Sequence, residues 1–403
     1  MTLAEKIYDL SAIWRHAAFV FPHFHRCGVD WDEAYRQFLP RVLQTRDDRE
    51  HALLMAEFVN LLGDGHTDVS FKWEILRESG VLPFALDFCE GAYWVQGRRV
   101  LGLDGRPMED ILREASRYVY HVGDYIPRLR YILSLILGPG EHTLETEAGR
   151  QVFAMAKEPP RIPRRQETEF TRHGDVLRIA FDDLLRDRAP EIREKLLTEK
   201  PRGVILDIRE NVGGMTKYGA DIAQLFLPGT FGGCNKWTRT MTGVSYASSC
   251  QVLNMSQEEL ANLSGKDARE ETERSLRVAR LAEFEQYQDR WGREEAQAVF
   301  EGPVVLLTSR RTVSAAEDFA AFFRSSGRGI LVGEPTCGTT GTPLIKGLHC
   351  GTLRVCSVGY TLLDGTEFLG RGIQPDIPVE PKMADLREGR DPVLERALAR
   401  WEK

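Results

Sequence analysis

Short apolar runs in the second half of the chain limit its fold more than any other feature. Val176-Leu-Arg-Ile-Ala180, Gly203-Val-Ile-Leu-Asp-Ile208, Pro303-Val-Val-Leu-Leu307 and Gly329-Ile-Leu-Val-Gly333 are each the length of one strand and are largely apolar rather than alternating. A strand without a polar face is buried on both sides, as in a parallel sheet covered by helices. Helical patterns at 189–197, 218–227 and 315–323 fall between these runs, and Leu353-Arg-Val-Cys-Ser357 reads as a further strand. Strand and helix in alternation predict an α/β domain over 165–403.

The first seventy residues are different. Leu3, Ile7, Leu10, Trp14, Ala17 and Phe21 recur at three- and four-residue steps, the apolar face of a helix that ends near Pro22. Asp30 and Glu33 have capping-box spacing ahead of a second helix, and a third is expected from Asp47 to Leu62, stopped by Gly63. Residues 1–70 are therefore expected to form a helical bundle. Residues 71–160 break into short strands at 68–71, 84–88, 93–95 and 100–103, with a turn at Asp104-Gly105 and a helix over 107–118, which predicts a small β-rich region. A proline-rich linker at 158–163 leads into the α/β part. The charged stretch at 256–299 is expected to be a helical insertion on its outside.

Composition narrows the function classes. With 53 Lys and Arg against 60 Asp and Glu in 403 residues, the chain has no basic excess to match a phosphate backbone, so nucleic acid is not expected as a partner. No run approaches a membrane span, and the N-terminal segment lacks the basic and apolar regions of a signal peptide. A cytoplasmic protein is the expectation, unless a signal has been removed. The seven cysteines are scattered without a C-x-x-C pair, which argues against a disulfide framework and a zinc ribbon. His23 and His25 form a close pair, but no carboxylate or thiol at ligand spacing completes a metal site. Neither metal nor cofactor is expected.

Four segments place turn glycines beside polar groups at strand ends, where α/β folds expose their sites: Gly63-Asp-Gly-His-Thr67, 207–214, Thr312-Val-Ser-Ala-Ala-Glu317 and 333–341. Ser314 follows a buried strand and opens a helix, which suits an acyl-transfer nucleophile beside the Ala315 N–H. Ser314-Ala-Ala-Glu317 is equally a capping box, and spacing alone favours the cap. Gly213 and Gly214 can turn the chain tightly and offer an oxyanion donor, or be a plain turn. His66, in a loop, has an imidazole suited to act as a base near neutral pH. Asp207 and Arg209 are expected to stabilise their own loop.

Taken together these segments resemble peptidase family S41, the C-terminal processing and tricorn-core proteases. LLGDGHTDV, GVILDIRENVGG, SRRTVSAAEDFA, VGEPTCGTTG and DGTEFLGRGIQPDIPV follow the family's motifs in order. Residues 72–160 match weakly. Family members often carry a PDZ-like peptide-binding unit there, and Val100-Leu-Gly-Leu-Asp-Gly-Arg-Pro107 looks like a remnant of one.

The resemblance implies a ClpP/crotonase-like α/β core and a serine endopeptidase acting on peptides or on unfolded or C-terminal protein segments. It implies Ser314 as nucleophile, with an oxyanion hole from Ala315 and Gly213 or Gly214. One branch of the family has a lysine base where this chain has Thr339, and Lys346 lies further on. The tricorn-like branch has a histidine at the position of His66, supported by a serine, here Gly65, and by a glutamate. Leu369 stands at the glutamate position, and Glu367, two residues earlier, is taken for that role. The alternative is a catalytically inactive protein that binds a peptide or an apolar ligand on the same fold; acyl-CoA chemistry is a third reading, disfavoured by the serine that opens the helix. A homo-oligomer is left open.

Overall fold

The computed structural model describes residues 1–123, 125–159, 165–239 and 284–401. These form two compact units, one of Met1–Ile75, Lys236–Tyr287 and Gly341–Gly359, the other of Leu76–Asn235, Gln288–Thr340 and Tyr360–Lys403.

The first unit opens with the expected helices. Leu3–Val20 starts in a capping box from Thr2 to Glu5. Trp31–Leu43 and Asp48–Asn60 start at Asp30 and Asp47, whose carboxylates accept the N–H groups of Glu33 and Glu50 and so satisfy donors that the first turn leaves without partners. Their apolar faces close on one another, with Trp31 stacked on Phe58 at 4.4 Å and Leu10, Ile13 and Met55 fully buried. The strand Asp68–Phe71 then pairs antiparallel with Gly351–Cys356, which pairs with Pro343–Gly347. Residues 341–359, assigned by the sequence to the α/β part, thus belong with the N-terminal helices. Asp9 fixes this join, because its buried carboxylate accepts the backbone N–H groups of His349 at 2.7 Å and Cys350 at 2.8 Å.

The second unit holds the α/β sheet, ordered 377–378, 329–333, 304–308, 203–207, 176–180, 169–173. All neighbours are parallel except 169–173, which runs antiparallel to 176–180. Every residue of 176–180, 203–207 and 304–308 is buried, as the apolar runs require. Helices Ala189–Glu199, Thr216–Ala223 and Ala315–Ser326 follow successive strands.

The β-rich region lies in this unit too. Its strands 87–89, 92–95, 98–103, 141–146 and 149–154 form one antiparallel sheet. Three two-residue turns join its neighbours: Glu90-Gly91, Gln96-Gly97 and Asp104-Gly105, each with positive φ at both residues. That is the type I′ requirement, which matches the strand twist. The sequence pattern identified only the Asp104-Gly105 turn and overlooked the helix Leu129–Leu137 and the hairpin 141–154.

The expected helical insertion at 256–299 needs correction where it is described. Residues 240–283 lie outside the described residues, while Phe284–Gln288 and Trp291–Gly292 are strands. Of the proline-rich linker expected at 158–163, residues 160–163 also lie outside the described residues. Among the described residues no helix is long and apolar enough to cross a membrane.

Candidate active site

Ser314 stands where the strand Val304–Thr308 has ended and the helix Ala315–Ser326 begins. Three hydrogen bonds fix that turn. Thr312 donates its hydroxyl to the Ile208 carbonyl at 2.9 Å, the Val313 N–H goes to the Asn211 carbonyl at 3.0 Å, and the Ser314 N–H goes to the Thr339 carbonyl at 2.9 Å. So held, Ser314 adopts φ 61° and ψ −128°. A side chain at positive φ outside the left-handed helical well is strained by about 1–3 kcal/mol, and such strain concentrates at functional sites.

The same geometry removes the capping explanation. Ser314 precedes the helix but its side chain makes no cap hydrogen bond. Glu317, the other half of the supposed box, turns away into the glycine-rich loop. Its carboxylate accepts the Thr336 hydroxyl at 2.5 Å, the Gly338 N–H at 2.8 Å and the Thr339 N–H at 2.7 Å. Burial pushes the Glu317 carboxyl up to about 8, against the pull of these donors. Asp318 beside it accepts the hydroxyls of Thr216 at 2.7 Å and Thr340 at 2.9 Å. The two acids therefore tie the nucleophile-bearing helix to the 336–340 loop. The sequence showed Glu317 only as a cap partner, because its real partners lie about twenty residues away.

The 211–214 turn packs against Ser314. A Cβ on Gly213 would lie 2.7 Å from the Ser314 Cβ and 2.9 Å from the Ala315 nitrogen, so only glycine fits, and its φ of 88° asks for glycine as well. Fully buried Asn211 sets the turn by donating to the Phe181 carbonyl at 3.0 Å and accepting the Gly213 N–H at 2.9 Å. The Gly213 N–H is thus spent within its own loop. Among the described residues the N–H groups of Gly214 and Ala315 meet no acceptor. Behind the turn, the Asp207 carboxylate takes hydrogen bonds from Arg178 and Arg209, and Arg209 also binds Asp391. Burial would raise Asp207, but the two guanidiniums outweigh it and hold the carboxyl at about 2. This is the loop-stabilising part expected of Asp207 and Arg209.

Thr339, in place of a lysine, is buried and engaged through both backbone groups. Lys346 lies in the strand Pro343–Gly347 of the other unit. Glu367 occupies an exposed loop held by buried Phe368, whose carbonyl accepts the N–H groups of Arg371 and Gly372. That loop joins the glycine-rich segment through Gly370 N–H to the Gly338 carbonyl at 2.7 Å and Ile373 N–H to the Thr336 hydroxyl at 2.7 Å. Tyr120, from the β-rich region, donates to the same Gly338 carbonyl at 3.3 Å, a contact no local pattern announces.

His66 belongs to the first unit. The helix Asp48–Asn60 ends in a turn closed by Gly63 at φ 61°, and the chain reaches the strand Asp68–Phe71 through a loop organised by Asp64. Asp64 Oδ2 accepts the His66 N–H at 3.1 Å and the Thr67 hydroxyl at 2.6 Å, and Thr67 Oγ1 in turn accepts the Cys356 N–H at 3.0 Å. The His66 imidazole is half-buried, and burial together with the Arg354 charge lowers it to about 4, so the ring is neutral at pH 7.

Two groups of potential metal donors occur among the described residues, both in this unit. Asp9, His51 and Cys350 form one, where Asp9 is already occupied by backbone donors. His23, Asp64 and Cys356 form the other. The sequence showed nothing to complete a site around His23, because its neighbours arrive from distant segments.

A model of peptidase family S41 matches residues 179–379. The carboxy-terminal-processing protease of Bartonella bacilliformis is 23% identical over 215 residues, a match covering 53% of this chain and 39% of that protein, so the chain spans well under half of this curated relative. Among solved structures, mature CPAF complexed with lactacystin aligns over 96% of this chain and 95% of its own, with a TM-score of 0.68 and 14% identity. The photosystem II D1 C-terminal processing protease aligns over 94% of both chains, with a TM-score of 0.52 and 14% identity. The tricorn protease covers 99% of this chain with 36% of its own, at a TM-score of 0.52 and 14% identity. The structural likeness speaks for the fold, and the family match falls on the strands and turns that carry Ser314, Gly213 and Gly214. This chain is a member of peptidase family S41.

Proposed function

We propose that the protein is a serine peptidase that cleaves peptide bonds in peptides or in unfolded or C-terminal protein segments, through an acyl-enzyme on Ser314. The observation that carries this reading is the backbone of Ser314, held at φ 61° and ψ −128° at a strand-to-helix turn without a capping bond. Strain there serves no helix; it serves to present a hydroxyl beside backbone donors.

In this reading the neutral His66 imidazole takes the Ser314 proton as the oxygen attacks the substrate carbonyl carbon. The Gly214 and Ala315 N–H groups receive the oxyanion, with the dipole of the helix Ala315–Ser326 behind them. Gly213 supplies room rather than a donor. The imidazolium then gives its proton to the leaving amine, and water, deprotonated by the same ring, releases the acyl group. Glu367 is assigned the carboxylate part of orienting His66. The inactive ligand-binding alternative gives the strained serine no task and is not favoured.

Intact-mass analysis after exposure to a fluorophosphonate tests the reading without knowledge of the substrate. One adduct, mapped to Ser314 and lost in both Ser314→Ala and His66→Ala, is the expected result. An unlabelled, folded wild-type protein that also cleaves no denatured protein substrate would overturn it.

A further inference from the structure

His23 is 4% exposed, and neither of its ring nitrogens has a hydrogen-bond partner among the described residues. Its ring packs edge-on against Phe21 and Trp237, both at 5.5 Å. Leaving a buried polar group without a partner costs about 1–3 kcal/mol, so an imidazole with both nitrogens unused calls for an explanation. What it faces supplies one. A His23 ring nitrogen, an Asp64 carboxylate oxygen and the Cys356 sulfur all lie within 4.8 Å of one another, and all three residues are buried.

That spacing suits donors sharing one ion at about 2.0–2.3 Å. A nitrogen, an oxygen and a sulfur together select a zinc-type ion over magnesium or calcium, which take oxygen ligands. The frame around the three is fixed without using them up. Thr67 Oγ1 donates to Asp64 and accepts the Cys356 N–H, setting carboxylate and thiol in one register. Both hydrogen bonds to Asp64 fall on Oδ2. The Cys356 thiol donates to the Val358 carbonyl at 3.1 Å, a weak bond that a metal readily replaces. The cluster of Asp9, His51 and Cys350 forms the contrast, since two backbone N–H groups and the His51 ring already engage that carboxylate.

We propose that His23, Asp64 and Cys356 bind one zinc-type divalent cation, with a water completing the coordination. On binding, Cys356 releases its proton to solvent and ligates as thiolate, while His23 ligates as neutral imidazole. The ion ties the residues after the first helix, the loop that carries His66 and the end of the strand Gly351–Cys356 into one body. This inference is independent of the peptidase reading.

The test is titration of the full-length, chelator-treated protein with Co²⁺, followed by zinc competition. The expected result is one equivalent bound, a near-ultraviolet thiolate-to-cobalt absorption band that zinc abolishes, and a melting temperature that rises with zinc concentration. Cys356→Ser removes the band, His23→Gln weakens binding at least about tenfold, and Cys350→Ser leaves both unchanged. Circular dichroism establishes that each variant is folded. Absence of the band in the folded wild-type protein, its persistence in Cys356→Ser, or its loss in Cys350→Ser alone would each overturn the proposal.

Discussion

The surroundings of Ser314 and of His66 are built on opposite principles. Ser314 is held by strain, in a backbone conformation that a serine disfavours, imposed by hydrogen bonds from 208–211 and 339 and locked by the buried Glu317. His66 sits in an ordinary loop, where one carboxylate gathers a backbone N–H and a threonine hydroxyl. In the first region the backbone stores energy and the side chains supply the bonds that keep it stored. In the second the backbone is relaxed, and what is unusual is the concentration of buried polar groups, His23, Asp64 and Cys356. Strain marks where a group is presented; unspent donors mark where something is received.

The sharpest way to break this contrast is to remove each polar head. Ser314→Ala should abolish fluorophosphonate labelling and lower peptide hydrolysis on the order of 10⁴–10⁶-fold. His66→Ala should lower it by about 10²–10⁴-fold, the range for a general base. Ser314→Gly separates presentation from stability, because glycine accepts φ 61° without penalty. This variant should be inactive and yet about 1 kcal/mol more stable, read as a raised denaturant midpoint. A less stable Ser314→Gly protein would show that the turn is not strained.

Next in size are the glycines of the 211–214 turn. A methyl group on Gly213 would meet the Ser314 Cβ and the Val313 carbonyl oxygen, both at 2.7 Å, so Gly213→Ala must displace the nucleophile. The expected loss in kcat is about 10²–10³-fold, similar to removal of an oxyanion donor. Glu317→Gln acts more weakly on rate than on stability. Above about pH 8, where the Glu317 carboxyl is ionised, the amide nitrogen replaces one of the two oxygens that accept the Thr336 hydroxyl and the Gly338 and Thr339 N–H groups, leaving a buried donor without a partner at a cost of about 1–3 kcal/mol; at pH 7 the carboxyl already carries a proton and the cost is smaller.

The two regions also differ in how far they could be read from sequence. The strands at 176–180, 203–207, 304–308 and 329–333 and the helix cap at Asp30 were legible, because burial on both faces and capping leave local signatures. Ser314, Ala315, Gly213 and Gly214 were legible as residues at strand ends. Their roles were not. The sequence allowed a cap at Ser314, and only the backbone angles and the partners of Glu317 decide against it. Around His66 the sequence showed a lone loop histidine. Asp9 joined to 349–350, and His23 and Cys356 brought beside Asp64, depend on segments far apart in the chain, for which no spacing rule exists. In the described part of the helical insertion expected at 256–299 the reading failed for a related reason: a charged composition favours helix, but strand pairing such as that of Thr230–Phe231 with Trp291–Gly292 is a tertiary gain that propensity does not contain.

A further effect concerns acid and tests the charges beneath the Ser314 turn. Asp207 titrates at about 2 in the folded chain, against an ordinary value of 3.8. Its folded pKa is depressed, so its contribution is fully present above the unfolded value and is lost as the pH falls from about 4 towards about 2. A shift of this size is worth about 2 kcal/mol. Asp207→Asn should therefore be destabilised at pH 7, because Arg178 and Arg209 lose a charged partner behind the 211–214 turn. Between pH 4 and pH 2 the variant should lose less stability than the wild type, by about the same 2 kcal/mol. Denaturant midpoints measured at pH 7, 4 and 2.5 for both proteins provide the check. Parallel acid limbs would show that the Asp207 pair contributes nothing specific, and that the Ser314 turn is held by its backbone hydrogen bonds without help from the charges beneath it.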